Sequence, residues 1–252
     1  MPVFDCNGKQ LVYVHIPKTG GTSVESFINE INDVKSMFFS NSVLEGMQVT
    51  PQHLPLTTIK SVMGRFYNPD YIFTIVRNPY HRAESEFKYR MDLGLFKNIP
   101  FKEKFFNIWL LYTVILESIA PGRLDNHMRP QSYFLTSDVF IYKLEDGMER
   151  AIESIKKELG LESRAYESIA SKKVSTKRNL SWSRSSIKLV SSYYNDDFVN
   201  LGYDPNEIRA ESSFLRESLH IFYFTLFISA SCVKRTLFML LRFIRRYTSS
   251  AH

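Results

Sequence analysis

The chain has 252 residues, 44% hydrophobic and 23% charged, which argues against a disordered or collagenous chain and fits one large or two small folded domains. Its two cysteines, Cys6 and Cys232, lie near opposite ends and give neither a disulfide framework nor a CxxC site. The formal net charge is +6, but five basic and no acidic residues fall within 218–252, so residues 1–217 are near neutral, which argues against a general nucleic-acid binder.

In chain order, Leu11 to Ile16 reads as a β-strand running into Pro17-Lys18-Thr19-Gly20-Gly21-Thr22-Ser23, with a helical pattern from about Val24. This is the layout of a phosphate cradle. The glycines let backbone N–H groups curl inward, and the following helix N-terminus adds partial positive charge. Thr19, Thr22 and Ser23 bring hydroxyls, and Lys18 brings a full charge. A Walker A loop places its lysine after the glycines; here it comes first, which suits a phosphate ligand other than Mg-ATP. The plainer reading of the same residues is a tight turn with Thr or Ser as helix N-cap.

A polar, irregular stretch then reaches Thr58. Tyr71 to Val76 reads as a buried strand, nearly continuous in apolar and β-branched residues. It ends in Arg77-Asn78-Pro79, with Pro79 suited to the first helical position. Arg77 at the strand end and Ser85 two helical turns later can grip one anion between guanidinium and hydroxyl. Phe101 to Ala120 reads as an apolar core helix, Val139 to Tyr142 as a third strand and Met148 to Leu159 as a helix. Strands alternating with helices predict an α/β fold with a mostly parallel sheet and right-handed crossovers. Ligands bind such sheets at the carboxyl ends of the strands, where Lys18 and Arg77 both fall.

These segments resemble the PAPS-dependent carbohydrate sulfotransferases, that is, the Golgi heparan sulfate and chondroitin enzymes and their bacterial relatives. His15 to Ser23 is similar to the family's 5′-phosphosulfate loop, and Val76 to Ser85 to its 3′-phosphate-binding strand and helix. Asp125 to Ser132, Val139 to Glu145, and Tyr193 to Phe198 with Leu201-Gly202-Tyr203 extend the likeness over about residues 10–204. The resemblance implies a P-loop-like three-layer fold with a central mostly parallel sheet. It also implies 3′-phosphoadenosine 5′-phosphosulfate (PAPS) as donor, 3′-phosphoadenosine 5′-phosphate (PAP) as product, a carbohydrate or glycoconjugate hydroxyl as acceptor, and no metal. Pro17 to Ser23 would hold the 5′-phosphosulfate and Arg77 with Ser85 the 3′-phosphate. Lys18 would meet the negative charge that builds on the leaving oxygen. The basic segment Ser171 to Asn179 matches a flap that the family often closes over the nucleotide, through Lys173, Ser175 and Lys177. Ser175 stands where the family usually has Asn. The plainer reading of this segment is a solvated loop.

The acceptor hydroxyl needs a base that titrates near neutrality. His15 sits in the first strand, His81 on the first turn of the Arg77 helix, and His220 and His252 in the tail. That leaves His53, at the place where several relatives keep their catalytic histidine, and His127 in the Asp-Asn-His-Met-Arg-Pro-Gln segment. His127, Arg129 and Gln131 read as acceptor or structural contacts. Glu84 replaces an apolar residue usual in relatives and reads as solvent-facing.

Residues 1–204 are expected to form the catalytic domain and 205–252 an apolar and basic helical tail. Leu219 to Val233 is shorter than the ~20 residues a spanning helix needs. Val233, Leu237, Leu240, Leu241 and Ile244 recur at helical spacing, with Arg235, Arg242 and Arg246 on another face. Residues 219–246 therefore read as an amphipathic helix for an anionic membrane surface, or for packing on the body or a partner. With no signal peptide before the first strand, the expected location is cytoplasmic, peripheral on the membrane through the tail. Two rival functions remain: a P-loop-like nucleotide-dependent kinase or transferase, and a catalytically silent nucleotide-binding membrane scaffold.

Overall fold

Five strands make one sheet in the order β3-β1-β2-β4-β5: Val3–Cys6 (β1), Lys9–Val14 (β2), Lys35–Met37 (β3), Tyr71–Val76 (β4) and Phe140–Lys143 (β5). A computed structural model describes residues 2–6, 8–31, 34–40, 42–94, 102–160 and 180–211. β2, β4 and β5 run parallel, with Val14 beside Thr74 and Val76 beside Lys143. β1 pairs antiparallel with β2 and with β3 at the other side. The parallel trio is the expected one, and the antiparallel pair beside it was not anticipated. β1 is four residues long, and β3 (Lys-Ser-Met) is exposed throughout, so neither leaves a periodic apolar signal.

Helices cover both faces of this sheet. Side chains alternate along a strand, so Leu11 and Tyr13 face one way and Val12 and Val14 the other. The first set packs with Phe73 and Ile75 against Gly21–Asn29 (α1) and Met148–Leu159 (α5), through Val24, Phe27, Ile152 and Ile155. The second set packs with Ile72 and Val76 against Leu56–Met63 (α2), through Leu56, Ile59 and Met63. These three α2 residues recur at helical spacing, in a helix that begins within the stretch read as irregular to Thr58 and runs on past it. The result is a three-layer α/β architecture.

A third cluster joins Pro79–Asp92 (α3), Phe106–Ile119 (α4), Arg184–Tyr193 (α6) and Asn195–Leu201 (α7) around Tyr80, Phe87, Trp109 and Trp182. Residues 205–211 continue along this body: Tyr80 donates its hydroxyl to the Pro205 carbonyl at 2.6 Å, and the Glu211 N–H meets the Trp182 carbonyl at 3.1 Å. Among the described residues, no helix is long and apolar enough to cross a membrane. The amphipathic reading of 219–246 and the flap residues Lys173, Ser175 and Lys177 lie outside the described residues.

Candidate functional site

β2 ends at Val14, and the chain turns back onto α1 through two left-handed residues, Lys18 at φ +70° and Gly20 at φ +94°. A left-handed φ costs a residue with a Cβ about 1–2 kcal/mol, so the loop around Lys18 must hold it there. Gly20 is the N-cap of α1, with no side chain capping the helix and no acidic residue in its first turn. The partial positive charge of that terminus is therefore left for an anion. Exposed Thr22 and half-buried Ser23 stand at the same terminus. Thr19 differs from expectation: it is fully buried and donates its hydroxyl to the Ile16 carbonyl at 2.9 Å, so that hydroxyl braces the turn rather than meeting a ligand. The two glycines answer different needs: Gly20 takes the left-handed φ of +94°, while a Cβ on Gly21 would lie 2.4 Å from His15 Nε2.

β4 delivers Arg77 beside this loop, where its Nη1 donates to the Lys18 carbonyl at 3.3 Å. Burial pulls the Arg77 pKa down while Glu145 and Glu84 oppose it, and a guanidinium remains charged. The result is a partly desolvated cation at the carboxyl end of the sheet. Asn78 caps α3 by accepting from the Tyr80 N–H at 2.9 Å, and Ser85 lies half-buried two turns on. Gln131 fixes Arg77 from behind: its amide accepts from the Arg77 N–H at 2.9 Å and donates to the Arg77 carbonyl at 2.8 Å. Fully buried Asp197 accepts the Gln131 N–H at 2.7 Å and the Ser132 N–H at 2.8 Å. Of the two roles open to Gln131, its complete burial fits the structural one.

Three histidines line up beside the loop. The His53 ring stands edge-on to His15 with centroids 5.2 Å apart and to His127 at 4.9 Å. Each has its own carboxylate on Nδ1: Glu25 at 2.5 Å for His15, Asp125 at 2.8 Å for His53, and Glu86 at 2.7 Å for His127. His53 ends a short turn, Pro51–His53, and is 4% exposed. Burial pushes its pKa down to about 4; Asp125 pulls upward, and His15 and His127 push down. It is therefore neutral at pH 7. Gln52 Nε2 lies 3.3 Å from its Nε2. Burial raises Glu86, but His127 and Arg90 outweigh it and hold the carboxyl at about 2.

Arg82, a residue that sequence reasoning left without a role, ties the loop to this histidine group. It is buried and donates to the carbonyls of Pro17 (3.0 Å), His127 (2.8 Å) and Arg129 (2.8 Å). Tyr89, also unforeseen, lies between the two: Lys18 Nζ sits 3.9 Å above its ring, and the ring stacks on His127 at 6.0 Å. Arg129 pairs with buried Glu117 at 3.0 Å and lies over Tyr133. Glu84 is not a free surface carboxylate, since it accepts from Trp182 Nε1 at 2.9 Å. His81 stays local, beside Glu145 and Glu207.

His53, Asp125 and His127 place ligand-type atoms within 4.8 Å of one another, a cluster not foreseen from spacings of 72 and 2 residues. The 2.8 Å between His53 Nδ1 and Asp125 Oδ2 is a hydrogen-bond length. Two ligands of a tetrahedral zinc ion at ~2.0–2.1 Å would sit roughly 3.3 Å apart. As arranged, the pair is a hydrogen-bonded dyad.

A family model described as "Sulfotransferase family" matches residues 2–204. Searches of curated proteins and of solved structures return no match.

Proposed function

The chain belongs to the sulfotransferase family, and on that premise we propose that it moves a sulfuryl group from PAPS to a hydroxyl of a carbohydrate acceptor. The observation that carries this reading is the contact between Arg77 Nη1 and the Lys18 carbonyl, which sets a desolvated cation against an uncapped glycine loop. A donor with two separate anionic groups fits that pairing. The 5′-phosphosulfate would lie on the backbone of 17–23 with Thr22 and Ser23, and the 3′-phosphate on Arg77 and Ser85. Left-handed Lys18 and Gly20 fit a backbone shaped for an anion.

When bound, PAPS supplies the sulfuryl group: the acceptor O–S bond forms as the S–O bond to the 5′-phosphate breaks. His53 takes the acceptor proton on Nε2, the nitrogen facing away from Asp125. Burial leaves the imidazole neutral and able to accept a proton, but at about 4 it is a weaker base than the near-neutral group expected from the sequence. Lys18 leaves the Tyr89 face and neutralises the charge growing on the 5′-phosphate. Arg82 keeps the donor loop and the His127–Arg129 turn in fixed relation, which holds donor and acceptor at the reacting distance. Arg129 and His127 line the acceptor side. Nothing in this scheme requires a metal ion.

The test is transfer from radiolabelled PAPS to unsulfated chondroitin and heparosan oligosaccharides, for wild type and His53→Ala. We expect His53→Ala to lose 10²–10⁴-fold in turnover, the usual contribution of a general base, while PAP affinity stays within about threefold. Undiminished turnover in His53→Ala would remove His53 as the base. A wild type that binds PAP but transfers to no acceptor would favour a silent nucleotide-binding scaffold.

A further inference from the structure

We propose that Asp125 is the positioning residue for His53: it fixes the tautomer and the ring direction so that Nε2 carries the lone pair toward the acceptor. The inference rests on the sulfotransferase reading of His53 for its kinetic consequence, but its structural part stands independently. Asp125 Oδ2 lies 2.8 Å from His53 Nδ1. Its carboxyl is held below the ordinary carboxylate range; burial raises it, and hydrogen bonds from His53 and Thr50 outweigh burial. An ionised carboxylate only accepts hydrogen bonds, so Nδ1 must carry the proton and Nε2 the lone pair.

The surroundings hold Asp125 in turn. Thr50 donates to it from both its N–H, at 2.6 Å to Oδ1, and its hydroxyl, at 3.0 Å to each oxygen. The Thr50 hydroxyl also lies 3.1 Å from His53 Nδ1. Its hydrogen points to the carboxylate, which leaves Nδ1–H to donate to Asp125. The next residue, buried Asn126, donates its amide to the His53 carbonyl at 2.9 Å. One dipeptide thus grips the ring and the backbone of His53 together. Asp125 and Asn126 both adopt left-handed φ, +55° and +59°. Two adjacent residues in that region are held by the fold around them, and Asn and Asp bear it better than other side chains. The open nitrogen, Nε2, faces Gln52, whose amide nitrogen is 3.3 Å away and donates to the lone pair. An acceptor hydroxyl would take the place of that amide and donate to the same lone pair.

Asp125→Asn is the decisive variant. Asn tolerates φ near +55° and keeps an oxygen for the Thr50 N–H, so the turn survives. Its NH2 group would now donate to Nδ1 and drive the His53 proton to Nε2, where it blocks the base. A carboxylate-to-carboxamide change behind a catalytic histidine lowers kcat by ~10⁴ in the serine protease triad through the wrong tautomer. The first readout is NMR of nitrogen-labelled histidine, with His53 assigned by His53→Gln and no substrate present. Wild type should show Nδ1–H and Asp125→Asn should show Nε2–H, with the melting temperature little changed. The second readout is transfer to the chondroitin and heparosan probes. The account expects kcat to fall at least 10²-fold, PAP affinity to stay within twofold, and the acid limb of the pH–rate profile to move to lower pH.

An Nε2–H tautomer in wild type, or one tautomer in both proteins, overturns the inference. So does unchanged kcat in a variant whose tautomer has switched. If wild type transfers sulfate to neither probe, the carbohydrate-acceptor reading fails on its own, and the tautomer comparison still decides what Asp125 does.

Discussion

Gln131 grips Arg77 at both ends of its backbone, accepting from its N–H at 2.9 Å and donating to its carbonyl at 2.8 Å. Arg77 in turn donates to the carbonyl of Lys18, and Asp197 accepts from the Gln131 N–H. Three sequence segments that are remote along the chain therefore end in one chain of hydrogen bonds aimed at the glycine loop. Asp197 and Gln131 are both fully buried, so their partners cannot be replaced by solvent.

Gln131→Ala should accordingly act on binding as well as on stability. It strands the Arg77 N–H, and a buried unsatisfied donor costs about 1–3 kcal/mol. Urea unfolding should show a loss in that range, and calorimetry should show PAP bound at least tenfold more weakly as Arg77 loses its orientation. A variant that is less stable but binds PAP normally would make Gln131 a fold brace only.

Gly21→Ala sets two effects against each other. Alanine is the better helix former by ~1 kcal/mol, yet its Cβ would lie 2.4 Å from His15 Nε2. Overpacking of this kind costs about 1–3 kcal/mol, and His15 is anchored by Glu25 at 2.5 Å and cannot swing freely. The expected outcome is net destabilisation in Gly21→Ala, and partial recovery of that loss when His15→Ala is added. Purely additive changes in the double variant would dissociate Gly21 from His15.

Much of this site was legible in the sequence because its chemistry is local. The strand before Pro17, the strand from Tyr71 to Val76 and the helix begun by Pro79 all lie where apolar patterning and proline placed them. What patterning could not supply was pairing across distance. Glu25, Glu86 and Asp125 each meet a histidine, but the separations are 10, 41 and 72 residues, and no periodicity links them. Arg82 drew no reading from the sequence, and only the fold points its guanidinium at three carbonyls. Thr19 matched the composition of a phosphate loop, yet the turn at Lys18 sends its hydroxyl inward. Glu84 looked solvent-facing because Trp182, its partner, lies 98 residues away.

The histidine column makes stability depend on pH in a defined window. His53 titrates at about 4 in the folded protein because burial disfavours its charge, against an unfolded value near 6.5. Between those values the unfolded chain binds the proton and the folded one does not, so stability falls as pH drops from 6.5 toward 4. From pH 7 to pH 5 this amounts to about 2 kcal/mol. Glu86 is lowered as well: burial raises it, but His127 and Arg90 hold it at about 2, so its contribution is complete above pH 4.5 and is lost on further acidification. Chemical denaturation of wild type and His53→Gln at pH 7 and pH 5 should show that loss in wild type and not in the variant. Equal losses in both proteins would place the acid-sensitive group elsewhere.

Lys18, the glycine loop and Arg77 are proposed to form one site for a nucleotide carrying a 3′-phosphate. Calorimetric titration with PAP, ADP and ATP, without magnesium, for wild type and Arg77→Ala, tests it most directly. Wild type should clearly prefer PAP, and Arg77→Ala should lose that preference while weak ADP binding persists through the loop. ATP or ADP bound as tightly as PAP, with no effect of Arg77→Ala, would contradict it.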